Sequence, residues 1–328
     1  LFGYIIKKLY ILLLFIFFLS IVVFIISRLS PGEPLYAFYG EAVEHMSSLE
    51  HQQALTRLGL DKPFYLQYLT WISNIFTGDF GISLKYKQPA IDILLSFLNN
   101  TIYLGLISYI LVFGLAIICA IFCVYYENTL LDKCICKLGT IIYYIPSFWL
   151  GLILILIFSI NIPLLPTSGA FDIGMEHDIF NRLKHMLLPL IVMIVSHLWY
   201  YTYIIREKLL LETRKDYVLL AKAKGLSKLY ILIHHCLKNV LPTIINIMSI
   251  SATHILSGTY IVEAVFSYPG IGYLSIESAK YHDYNLLMLI VLFTGFIVII
   301  FSLSAQIINE LIDPRITFRR TPHEHKQS

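Results

Sequence analysis

Apolar positions in this chain gather into long blocks instead of alternating or recurring at short intervals. Residues free of Asp, Glu, Lys and Arg run through Leu9–Ser27, Ile93–Tyr126, Leu138–Phe171, Met186–Ile205, Asn239–Val262 and Tyr284–Asn309. A helix needs about 20 residues to cross a hydrocarbon layer roughly 30 Å thick, and each block reaches or approaches that length. Six transmembrane helices are therefore predicted, in an all-α membrane protein. The first block is too long and too apolar for a secretory h-region and lacks a small-residue cleavage site, so it reads as a retained anchor.

Polar residues between the blocks divide the chain. An N-terminal transmembrane helix occupies 1–28, an extracytoplasmic helical region 29–92, and five further transmembrane helices 93–312, followed by a polar tail over 313–328. The outer region opens on Ser30–Pro34, whose prolines and glycine stop a helix. Helical spacing resumes over residues 41–60, with Gly59 as its end. Phe64, Tyr65, Tyr68 and Trp71 then place aromatics at helical spacing, as interfacial packing residues do. Gly78 and Gly81 flank a tight turn, and Asn99, Asn100 and Thr101 carry polar groups that can bond across helices. Pro146 bends the third span. Pro269, Gly270 and Gly272 make a sharp turn before a short re-entrant or surface helix.

Composition agrees with this pattern: 58% of residues are hydrophobic, 14% are charged, and the mean hydropathy is +0.75. Basic residues near span ends set orientation. With the N-terminus inside, 16 of the 24 Lys and Arg lie on the inner side, so both termini are predicted to be cytoplasmic. None of the five cysteines falls in an outer loop, and Cys134 and Cys136 form a C-x-C without a second pair, so neither a disulfide framework nor a metal site is indicated.

Several chemistries are absent from the sequence. No G-x-x-x-x-G-K-[ST] loop, H-E-x-x-H or nucleophile elbow occurs. The six apolar blocks hold no Asp, Glu, Lys or Arg; His197 and His254 are their deep titratable groups and read as hydrogen-bonded packing residues. Ion-coupled carriers need ionisable groups near the midplane. Directional transport by this chain must then draw its energy from elsewhere, or the chain is a channel.

The longest basic segment, Arg206–Pro242, lies between two spans and holds eight Lys or Arg against three acids. Tyr217, Leu220, Ala221 and Lys224 repeat at i, i+3, i+4, i+7, and so do Leu226, Leu229, Tyr230 and Ile233. Two short amphipathic helices follow, with Gly225 between them as a left-handed C′ residue and small Ala221 and Ala223 allowing close approach. Leu241–Pro242 is predicted to restart a helix into span five. Spacing alone leaves two readings of this knuckle level: a docking element, or an amphipathic hairpin resting on anionic lipid.

The stretch DYVLLAKAKGL…NVLP (Asp216–Pro242) resembles the cytoplasmic EAA-type loop of ABC importer permeases, with Tyr217, Ala221, Ala223, Gly225, Leu226, His235, Asn239, Leu241 and Pro242 matching. Leu219 stands where the loop's namesake glutamate belongs. SPGEP, LGLDKPFYLQYLTWI, GDFGISLKYKQPAIDILLSFLNNTIYLG, IPSFWLG, LLPTSG and IVEAVFSYPGIGYLSIESAKYHDY extend the resemblance along nearly the whole chain, to the dipeptide/oligopeptide/nickel branch. The resemblance implies a type I ABC importer permease fold in the bacterial cell membrane. It also implies a coupling loop at 206–238 in which Tyr217, Leu220, Ala221, Ala223, Gly225, Leu226, Leu229, Leu241 and Pro242 meet an ATPase. Implied partners are a second homologous permease, two ATP-binding-cassette subunits and an extracytoplasmic substrate-binding protein, with no nucleic acid. ATP and Mg belong to the ATPase subunits, and this chain carries no cofactor and no catalytic residue. Nickel or a related metal chelate is the expected cargo, slightly ahead of a di- or oligopeptide; outer His45, His51, His177 and His282 are the side chains available to assist a metal complex.

Overall fold

The computed structural model describes residues 2–29, 35, 39–57 and 59–312. The tail at 313–328 and the Ser30–Pro34 helix stop lie outside the described residues. The elements are helical: α1 (Phe2–Leu29), a 3-10 turn (Gly40–His45), α2 (Ser48–Arg57), α3 (Phe64–Phe76), α4 (Ala90–Tyr125), α5 (Leu130–Tyr143) and α6 (Ser147–Ile155), which continues as a π-turn (Leu156–Asn161). After these come α7 (Ile179–Thr213), α8 (Asp216–Ala223), α9 (Lys228–Val265), α10 (Ile271–Lys280) and α11 (Tyr284–Ile312). An isolated antiparallel bridge joins Ile82 and Pro89.

Five helices (α1, α4, α7, α9 and α11) are each long and apolar enough to cross a membrane. The sixth predicted span is a broken pair: α5 and α6 pass the same test together but meet at 94°. The bend expected at Pro146 is thus a full corner. Proline has no N–H to continue a helix and drives its predecessor out of the helical region. Here it stands before the first turn of α6 in an extended conformation, ψ 133°.

The chain forms two compact units. One comprises Leu1–Thr101 with Pro269–Ile299. Within it α3 is fastened to α1: Tyr68 and Trp71 pack on Phe24 with ring centroids 5.3 and 6.0 Å away, while Phe64 and Tyr65 stay exposed. The polar cluster at the start of α4 bonds into the turn before α10, Asn100 Nδ2 donating to the Pro269 carbonyl at 2.9 Å and Thr101 Oγ1 accepting from Ile271 N at 2.7 Å. The tight turn after α3 is real, with Gly78 at φ +84° and Gly81 at φ +80°. Buried Asp283 fixes the following segment, accepting from the Ser83 hydroxyl and from Lys85 N at 3.1 Å.

Among the described residues, the second unit comprises 102–268 with 300–312. Its core runs through Leu104, Phe113, Ala120, Leu188, Met193, Ile205, Leu209, Ile244, Ile255 and Phe266. Small residues bring the helices together, as they must where lipid and side chain are equally apolar. A Cβ on Gly139 of α5 would lie 2.8 Å from Trp199 of α7, and one on Gly151 of α6 would lie 3.1 Å from Val265. One ion pair joins α5 to α7: Arg206 donates to both oxygens of Asp132 at 2.8 and 2.7 Å, and Asp132 is 2% exposed. Bidentate geometry of this kind is the strong form of the interaction.

A cluster in the first unit makes an acid-sensitive contact. Glu277 on α10 accepts from Lys85 Nζ at 2.6 Å, Tyr86 OH at 3.0 Å and Tyr273 OH at 2.9 Å. Burial raises this carboxyl, but the bonds from Lys85, Tyr273 and Tyr86 outweigh it and hold it below the ordinary carboxylate range. A depressed folded value means the contribution is full above about pH 4.3 and is lost as pH falls through the folded value. Glu277→Gln is expected to flatten the acid limb of stability, measured as the unfolding temperature of detergent-purified protein across roughly pH 3 to 6. A second expected outcome concerns packing: Gly139→Val should destabilise the second unit by about 1–3 kcal/mol through overpacking on Trp199, read in the same unfolding assay.

Candidate coupling site

The basic knuckle begins where α7 leaves the apolar layer. Its last turn carries Glu212, 7% exposed in spite of its charge. A buried carboxylate is tolerated only when its lone pairs are filled. Tyr217 OH donates to Oε1 at 3.0 Å, Asn239 Nδ2 donates to the same oxygen at 3.2 Å, and Lys215 Nζ lies 2.7 Å from Oε2. One side chain thus ties the end of α7 to α8 and to the base of α9. Burial, with the bond to Glu212, keeps the Tyr217 phenol well above its ordinary range, so it remains the donor.

Asp216–Ala223 forms a helix of eight residues, and its inward face is Val218 with Ala221, both in the core of the second unit. This corrects the face drawn from spacing. Leu220 is 58% exposed and Tyr217 half-buried, because the hydroxyl of Tyr217 is drawn to Glu212 and Val218 takes the core position. Leu219, where the family's loop carries its glutamate, also points outward at 62% exposure.

Gly225 ends α8 with φ +78°. Its N–H bonds the Lys222 carbonyl at 2.9 Å and Leu226 N–H bonds the Ala221 carbonyl at 3.3 Å, the paired closure of a Schellman motif. A Cβ at Gly225 would meet nothing within 4 Å, so the requirement there is conformational, not steric. Ser227 then caps α9, accepting from Tyr230 N at 3.4 Å, and Lys228 Nζ donates to the Tyr125 carbonyl at the end of α4.

The second knuckle helix is not a separate element, and Leu241–Pro242 does not restart one. Lys228–Val265 is continuous, passing through a π-turn at Leu232–Leu237 just before Pro242. The π-turn shifts the backbone bonding register by one residue ahead of the proline, and Pro242 is carried inside the helix. Leu241 and Pro242 lie exposed on this helix and His235 is half-buried.

Around the glycine corner the outward residues are Leu219, Leu220, Ala223, Leu226 and Leu229, joined by Tyr230 and Ile233 on α9. Exposed apolar side chains concentrated on a polar segment mark an interaction surface. Of the residues singled out by sequence, Tyr217 and Asn239 converge on Glu212, Ala221 is core, and Leu220, Ala223, Leu226 and Leu229 surround the corner. Glu212 was missed as a hub. Its spacing of three from Lys215 was the available signal, whereas its bonds to Tyr217 and Asn239 had none.

Among the described residues, Cys123, Asp132 and Cys136 form a group whose ligand atoms lie within 4.8 Å of one another. Cys134 of the C-x-C is exposed and is not part of that group. A cation does not fit there, because the Arg206 guanidinium already occupies both oxygens of Asp132. The outer histidines His45, His51, His177 and His282 do not belong to the group either.

Comparison with known proteins decides the family. Residues 112–318 match the family described as "Binding-protein-dependent transport system inner membrane component". The chain belongs to this family. Residues 1–118 match the N-terminal region of the same class of membrane components. The oligopeptide transport system permease protein AppB of Bacillus subtilis is 31% identical over 96% of this chain and 99% of its own length. The di/tripeptide permease protein DppB of Pseudomonas aeruginosa is 28% identical over 97% and 99%, and the glutathione permease protein GsiC of Escherichia coli K12 is 29% identical over 97% and 99%. A chain of the MetNI methionine ABC transporter, solved in inward-facing conformations, shares the fold with a TM-score of 0.56 at 13% identity, covering 68% of this chain and 97% of that one. This permease is therefore a multi-pass integral membrane subunit of a binding-protein-dependent ABC importer.

Glu212→Ala in the permease would strand the half-buried Tyr217 phenol and cut the ties that the exposed Asn239 amide and Lys215 ammonium make to the end of α7. Leaving a phenol unpaired there costs about 1–3 kcal/mol locally. Faster proteolytic nicking within residues 214–227 is expected, with an unchanged amount of protein in the membrane, and Glu212→Gln should lie between the two.

Proposed function

We propose that the chain carries di- or oligopeptides across the bacterial cell membrane, and that its Gly225 corner docks the ATP-binding-cassette subunit that drives the cycle. The corner carries the docking half of this reading: a helix end closed by a left-handed glycine, buried on one face and apolar on the other. Its full set of contacts would be Tyr217, Leu220, Ala221, Ala223, Gly225, Leu226, Leu229, Leu241 and Pro242, with Ala221 acting from beneath as packing.

The complex would comprise a second homologous permease, two ATPase subunits holding ATP and Mg, and an extracytoplasmic binding protein that delivers the substrate. Basic loops at 126–137 and 206–238 would face the cytoplasm, and residues 29–92 the outside. For the cargo, the named relatives transport oligopeptides, di- and tripeptides and glutathione. They support a peptide at least as well as the nickel chelate that sequence resemblance put slightly ahead, and we take the peptide as the substrate.

Complete transporter reconstituted in liposomes with its binding protein should take up a labelled tripeptide only when ATP is supplied on the ATPase side. Nickel uptake without peptide uptake would overturn the cargo. Gly225→Val forces a β-branched residue into the left-handed region at a cost of about 1–2 kcal/mol. That variant is expected to reach the membrane normally, to lose most ATP-driven uptake and to retain less ATPase subunit on purification; full uptake would overturn the docking role.

A further inference from the structure

Two histidines that coupling leaves unused meet inside the second unit. The rings of His197 on α7 and His254 on α9 pack edge to face with centroids 5.8 Å apart and an interplanar angle of 79°. Both lie well inside the uncharged stretches of their helices, between Lys184 and Arg206 on α7 and between Lys238 and Glu263 on α9. His197 is half-buried, and its Nδ1 lies 2.9 Å from the Met193 carbonyl. A carbonyl only accepts, so Nδ1 carries the proton and the ring is held in place. Gly258 makes room for it: a Cβ there would stand 3.0 Å from Cε1 and 3.2 Å from Nε2 of His197.

His254 differs from its neighbour. It is exposed, on the outward stripe of α9 that also carries Ile250, Ser257 and Ile261. In any protonation state an imidazole keeps at least one N–H to donate. Facing lipid tails, that donor would go unsatisfied, which hydrocarbon penalises heavily. Ionisable side chains within spans face a bundle interior or a water-filled path, so this stripe does not face lipid tails.

We propose that His254 lines the translocation path and donates a hydrogen bond to the terminal carboxylate of the passing peptide, with His197 positioning its ring. The proposal rests on the peptide reading above. A peptide brings a carboxylate into a stretch where α7 and α9 supply no Lys or Arg. Its anion needs a donor there, and His254 is the exposed imidazole available. A single imidazole N–H is a weak grip, which suits a path that must release its cargo.

The test is equilibrium binding of a labelled tripeptide and of its C-terminal amide to the purified complete transporter, without binding protein. Wild type should bind the free acid more tightly than the amide. His254→Phe should weaken the free acid by about tenfold, the scale of one hydrogen bond to an anion, and leave the amide unchanged. His254→Gln, which keeps a donor, should restore most of the difference. Gly258→Ala, by displacing the His197 ring, should shrink the acid-to-amide ratio without touching His254. Equal loss for both peptides, or no preference in wild type, overturns the proposal. Loss of Ni2+ binding with peptide binding intact overturns it in favour of a metal. Loss of the second permease from purified His254→Phe overturns it in favour of an interface role. Failure of wild type to take up any peptide in liposomes refutes the cargo itself, whereas peptide uptake with no acid-to-amide split refutes only the His254 role.

Discussion

Hydrocarbon tolerates no unpaired charge, and most of this permease is arranged around that constraint. Lys and Arg are expelled to the ends of the spans, and the carboxylates drawn under the surface there are neutralised by specific partners. Asp132 is clasped by Arg206 through two bonds, and Glu212 is filled by Tyr217, Asn239 and Lys215. These knots stand at the N-terminal end of α5 and the C-terminal end of α7, so the ends flanking the basic segment are firmly tied together. Breaking one leaves a desolvated charge behind, which costs more than the pair itself contributes.

The knuckle inherits its rigidity from the second of these knots. Glu212 fixes where α8 begins, Val218 and Ala221 fix which face it buries, and Gly225 fixes where it stops. What remains outward is a short apolar ridge on an otherwise charged segment. In the docking role we propose, a ridge held on a rigid base would pass a push from an ATPase into α7 and α9, because α9 runs without a break from Lys228 at the corner to Val265 at the far end. Had Leu241–Pro242 restarted a helix, a flexible joint would lie between the corner and the path. The π-turn removes that joint.

The same solvent that organises the ends makes the middle informative. His197 and His254 are tolerable at mid-span only through partners. His197 finds one in its own helix, and His254 turns outward, where the proposed role gives it the cargo as partner.

Much of this was legible along the chain. Span positions, the turn glycines at 78 and 81 and the left-handed end at Gly225 depend on local sequence, because hydrocarbon thickness and backbone sterics act on contiguous residues. Pro146 marked a bend for the same reason, though its size, 94°, was visible only in the folded chain, where α6 packs on Val265 and Phe266 at Gly151. Other features needed the folded chain. The face of α8 was misread by spacing because an eight-residue helix has too few turns to outvote one hydrogen bond, from Tyr217 to Glu212. The Asp132–Arg206 clasp, the convergence on Glu212 and the meeting of His197 with His254 join residues far apart in sequence. A chain of characters carries no distance between such positions; helix packing alone sets it, through close contacts such as Gly139 with Trp199 and Gly258 with His197.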